Sequence, residues 1–68
     1  LIGSRIHDFR LERKMSQKDL ASLTGVAQST LSDIEHNRYE PKSSIIAAFA
    51  RALNTTTDEL IGTQEVAK

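Results

Sequence analysis

A helix start and a helix stop stand one short helix apart in this chain, and together they constrain the fold more than any other feature. Ser16-Gln17-Lys18-Asp19 has the S-x-x-[DE] form of a capping box. The Ser16 hydroxyl can accept from a free backbone N–H of the first turn, and Asp19 lies where the helix dipole favours an acid. Gly25 then supplies the left-handed residue on which such a helix ends. Leu20, Ala21 and Thr24 between them point inward. Val26 and Ala27 form a turn, and a second helix begins at once, near Ala27 or Gln28. Leu31 and Ile34 are its buried stripe. Asn37, the best substitute for glycine in a left-handed cap, closes it after His36. Two short helices joined by so tight a turn must cross, and the rest of the chain must cover their apolar sides.

The flanking segments are helical as well. Residues 2–14 place Ile2, Ile6, Phe9 and Arg13 on one side at spacings of three and four, with Arg10 beside them. Arg38-Tyr39-Glu40-Pro41 is a loop, because proline disfavours helix just before it and suits the start of the next. Residues 43–53 form a fourth helix with Ile46, Phe49, Ala50 and Leu53 inward, ended by Asn54. Thr56-Thr57-Asp58-Glu59 is a second capping box, opening a short fifth helix that Gly62 stops. Nothing alternates with period two over a strand's length. The expectation is an all-α, five-helix domain over residues 1–62, with residues 63–68 as a tail or the start of a linker.

Composition narrows the function classes more by what it lacks. The chain has 68 residues and no cysteine, so disulfides, thiolate metal sites and cysteine nucleophiles are excluded. His7 and His36 lack metal-ligand spacing, and three scattered glycines make no phosphate loop. No serine sits in G-x-S-x-G. No metal, cofactor or enzymatic chemistry is expected. No apolar run is long enough to span a membrane or to serve as a secretory segment, and a cytoplasmic location is the expectation. The chain begins at Leu1 and is expected to be a fragment or a processed piece of something longer. Net charge is zero, nine Lys+Arg against nine Asp+Glu. That weighs against nucleic-acid binding, which usually goes with a basic domain.

Against the charge stands the outer face of the third helix. Two helices joined by a short glycine-containing turn are the helix-turn-helix unit, a common arrangement that is weak evidence alone. Here Gln28, Ser29, Ser32, Asp33 and His36 share one side, and no apolar residue interrupts them. Gln can pair with adenine through two hydrogen bonds, Ser pairs with several bases, and Asp can accept from cytosine N4. Recognition helices read bases chiefly through their N-terminal residues. Short polar residues are also ordinary near a helix N-terminus, so both readings remain open on geometry alone.

The run Ser16-Gln17-Lys18-Asp19-Leu20-Ala21, followed by Gly25-Val26-Ala27-Gln28-Ser29-Thr30-Leu31-Ser32-Asp33-Ile34-Glu35, resembles the Cro/repressor-type, or xenobiotic-response-element-type (XRE), helix-turn-helix family. Ile2-Gly3-x-Arg5-Ile6-x-x-Phe9-Arg10 resembles that family's first helix. Pro41, Ala50-x-Ala52-Leu53 and Asp58-Glu59-Leu60 resemble its last two, so the likeness covers residues 2–61. It implies a compact lambda-repressor-like fold and a transcriptional regulator, more often a repressor, binding a double-stranded DNA operator as a homodimer.

The resemblance also implies roles. Gln28, Ser29, Ser32 and Asp33 would face the major groove. Ser16, Gln17, Asn37, Arg38 and Lys42 would contact phosphates, with His36 and Tyr39 as further candidates, and Gln17 would also brace Gln28. Arg10 and Glu35 would form a structural ion pair between the first and third helices. Ala27 departs from the family's usual Ser or Thr, which removes a cap worth about 1 kcal/mol. Asn37 stands for a commoner Gly and Thr55 for a commoner Val. Asp33 is costly beside phosphates unless it pairs with cytosine or with Arg38. Leu11 and Leu23 sit where such a domain is often polar, either as variation or as a face for a further domain. Ile45, Ala48 and Ile61 either expose apolar surface or complete the core. Three rivals share the fold: an antitoxin or restriction-modification controller, a DNA-binding appendage of a larger enzyme or signalling protein, and a helical interaction module that has lost DNA binding.

Overall fold

The computed structural model describes residues 1–62. The tail expected over residues 63–68 lies outside the described residues. Five helices follow in order: α1 (Ile2–Glu12), α2 (Gln17–Thr24), α3 (Gln28–Glu35), α4 (Ser43–Ala52) and α5 (Thr57–Ile61). There is no strand among the described residues.

The helix ends follow local chemistry closely. Ser16 caps α2 with a complete capping box: its Oγ accepts from the Asp19 N–H at 3.0 Å, and its own N–H donates to Asp19 Oδ2 at 3.1 Å. Thr56 caps α5 through the Glu59 N–H, but the Glu59 carboxylate accepts from the Thr55 hydroxyl instead of closing the box. Gly25 ends α2 at φ 76°. Three other helices end on a left-handed residue that is not glycine: Lys14, Asn37 and Asn54. In each case the next N–H reaches back five residues, Met15 to Arg10, Arg38 to Asp33 and Thr55 to Ala50, the bond of a Schellman end. α1 therefore stops at Glu12, two residues short of the span read from periodicity, and Lys14 begins the turn into α2.

Ile6, Leu20, Leu31, Ile34, Phe49, Leu53 and Leu60 are fully buried, at least one from every helix. α1 packs on α3 and α5, α2 on α3 and α4, and α4 on α5. The inward side of α1 is Gly3, Ile6 and Arg10, rather than the side running through Arg13. Arg13 lies outside, with its guanidinium 4.9 Å from the Phe9 ring centre and its Nε donating to the Leu53 carbonyl. Helical spacing allowed either arginine, and only Arg10 has an anion to meet inside. Gly3 is inward because α3 passes against it. A Cβ there would lie 2.0 Å from the Ile34 carbonyl oxygen and 2.6 Å from Asn37 Oδ1. Ile45 and Ala48 are half-buried, Ile45 packing against the core, whereas Ile61 stays 47% exposed. Leu11 and Leu23 are exposed.

Candidate nucleic-acid interface

The second and third helices form one rigid corner. Gly25 reverses the chain, Thr24 Oγ1 donates to the Leu20 carbonyl at 2.9 Å and accepts the Val26 N–H at 3.3 Å, and Val26 packs on the core. α3 starts at Ala27 with no side-chain cap on its first turn. Leu31, Ile34 and Glu35 are buried on its inner side. Gln28 and Ser29 are exposed at its start, and Ser32 and Asp33 are partly exposed along the same outer side. The four proposed readers are thus on one accessible surface.

The residues expected at phosphates border that surface. His36, Asn37, Arg38, Tyr39 and Lys42 are all exposed. Asn37, left-handed at φ 62°, turns the chain sharply after α3 and throws Arg38 back towards it. Arg38 Nη1 then lies 3.3 Å from Asp33 Oδ1. This pair answers the cost foreseen for Asp33: the carboxylate has a cation at hand before any base arrives. His36 Nδ1–H donates to the Ser32 carbonyl at 2.8 Å, which leaves Nε2 outward. Lys42 precedes α4 in extended conformation, at the N-cap position. Ser16 keeps a hydroxyl hydrogen to donate, because its oxygen alone serves the cap. Tyr39 lines a groove of mixed character, with Leu1, Ile2 and Ile61 on its apolar part and Asn37, Arg38 and Glu40 on its polar part.

Arg10 and Glu35 meet as expected, and their burial separates them from an incidental surface pair. Their side chains are 9% and 1% exposed. Arg10 Nε and Nη2 donate to the two Glu35 oxygens at 2.7 and 3.1 Å, and Nη1 donates to the Met15 carbonyl at 2.8 Å. The brace from Gln17 to Gln28 does not form. Gln17 Nε2 instead donates to Glu35 Oε1 at 3.1 Å. The carboxylate is held by Arg10 and buried within reach of the start of α2, whereas Gln28 is exposed. Sequence reasoning missed this bond and the Gly3 approach, and only the separate pairing of Arg10 with Glu35 hinted at the first.

A profile of the helix-turn-helix family matches residues 6–60. The immunity repressor protein of Bacillus phage phi105 is 37% identical over 67 residues, covering 98% of this chain and 46% of that protein. An uncharacterized HTH-type transcriptional regulator of Bacillus subtilis (strain 168) is 36% identical over 58 residues, covering 85% of this chain and 84% of that protein. Among solved structures, the SinR protein/SinI protein complex contains a chain that superposes with a TM-score of 0.88 at 30% identity, over 100% of this chain and 67% of that one. The chain thus spans about half the length of the phage repressor it matches. With the two-helix corner, the outward polar face of α3 and the matched profile in register, the chain belongs to the Cro/repressor-type helix-turn-helix family.

Proposed function

We propose that this chain is the DNA-reading domain of a sequence-specific transcriptional regulator. The observation that carries the reading is the outer side of α3: Gln28, Ser29, Ser32 and Asp33 are accessible on one surface, while Leu31, Ile34 and Glu35 anchor the other. A helix anchored in this way can lie in a major groove without losing its own packing. Gln28 and Ser29, at its N-terminal end, read base edges. Ser32 and Asp33 read further along, and Asp33 accepts from a cytosine amino group while Arg38 balances its charge. Ser16, Gln17, Asn37, Arg38 and Lys42 hold phosphates on either side, with His36 at the margin.

The regulator acts as a homodimer on a two-fold-related operator, its half-sites roughly 34 Å apart. Zero net charge supports the need for a second copy, since one domain offers few cations for counterion release. Repression is supported by the likeness to the phage immunity repressor. Bound DNA undergoes no chemistry. The test is selection of bound sequences from random duplexes at a stated low salt concentration. Enrichment of a two-fold-symmetric sequence is expected. Recovery of no preferred sequence would overturn the proposal.

A further inference from the structure

We infer that Glu35, a residue out of reach of DNA, is a positioning residue for the phosphate contact made by Gln17. The inference rests on the DNA-binding reading above and goes beyond the structural tie between α1 and α3. Gln17 is the first residue of α2 and is half-buried. Its carboxamide could present either its oxygen or its NH2 group outward. Only the NH2 group suits a phosphate, which at neutral pH accepts hydrogen bonds and does not donate them. An unheld carboxamide would sample both orientations.

Glu35 removes that freedom. An ionised carboxylate is acceptor-only, so the group that Gln17 turns to it must be the amide nitrogen, as found at 3.1 Å. A flip would set two oxygens against each other. One N–H is used on Glu35, and the second diverges from it by about the 120° of a planar amide, still on the same nitrogen. The carboxylate itself cannot drift. It is 1% exposed and held through both oxygens by Arg10, whose remaining Nη1 donates to the Met15 carbonyl just ahead of the α2 cap. Arg10 also cancels its charge, so the buried acid does not repel the phosphate that Gln17 meets. One buried pair thereby fixes the backbone entering α2 and the side chain at its first position.

The test is a double-mutant cycle on DNA binding, with Gln17→Met, Glu35→Gln and both together. The probes are the enriched duplex and a scrambled duplex at low salt. Gln17→Met should weaken binding to both by about tenfold, the loss of one charge-assisted hydrogen bond. The slope of log affinity against log salt should stay unchanged, because a neutral carboxamide releases no counterion. Glu35→Gln should weaken binding several-fold on its own and by less than about twofold when Gln17 is already Met. Additive losses would overturn the inference. Proton NMR of the unaltered protein decides the matter even where Glu35→Gln does not fold. One Gln17 side-chain amide proton should lie downfield in the free protein, and the other should move downfield on adding duplex. Two amide protons indifferent to DNA would also overturn the inference. No binding of the unaltered chain to either duplex would instead overturn the DNA-binding reading beneath it.

Discussion

α2 and α3 are equally long, eight residues each, yet they are held in opposite ways. α2 carries its own instructions. Ser16 and Asp19 cap its start reciprocally, and Gly25 ends it in the left-handed conformation. α3 begins at Ala27 with no cap and has no charged residue in its first turn. Its seat comes from elsewhere: Leu31 and Ile34 in the core, Glu35 on Arg10, and the Gly3 backbone against its last turn. Ala27 cannot supply the side-chain acceptor that a Ser or Thr would place at the start of α3. Local stabilisation has been given up in α3, and tertiary contacts on its far side compensate.

Substitutions can break this contrast, beginning with the deepest. Glu35→Ala leaves a buried guanidinium without its anion and should cost about 3–5 kcal/mol of stability by denaturant titration. The double variant Arg10→Met, Glu35→Leu should regain part of that loss, because no unpaired charge remains. Gly3→Ala should cost about 1–3 kcal/mol, since a Cβ 2.0 Å from the Ile34 carbonyl forces α1 and α3 apart. A neutral result would mean that this close approach does not seat the recognition helix. Ser16→Ala should cost about 1 kcal/mol through loss of the α2 cap. The smallest effect is a gain: Ala27→Ser should add about 0.5–1 kcal/mol by supplying the cap α3 lacks. If Ser16→Ala and Ala27→Ser both left stability unchanged, the difference in how the two helices begin would carry no energy.

The same contrast governs how much could be read without coordinates. Features written in a few neighbouring residues were legible. Ser16, Gly25, Asn37, Asn54, Thr56 and Gly62 marked helix ends, and each stands at one. The core followed from the spacing of Leu31 and Ile34 and of Phe49 and Leu53. Lys14 was not legible as a stop, because lysine has no intrinsic claim to a left-handed conformation, and the Met15 bond to Arg10 imposes it. The choice between Arg10 and Arg13 depended on a partner from another helix. At the site, the residue types on the outer face of α3 were readable from periodicity. The bond from Gln17 to Glu35 joins positions 18 apart, and no local pattern encodes such a polar contact.

The claim that α3 reads bases while the loop after it grips phosphates is tested most directly by two substitutions compared on one set of duplexes. Binding of the unaltered protein, Gln28→Ala and Lys42→Ala is measured on the enriched duplex and on each of its single base-pair variants across a salt series. Gln28→Ala is expected to lose about 1–3 kcal/mol of discrimination at one half-site position, with the salt slope unchanged. Lys42→Ala is expected to weaken every duplex alike and to reduce the salt slope by about one. The opposite assignment, with Lys42→Ala relaxing sequence preference and Gln28→Ala flattening the slope, would contradict the proposed interface.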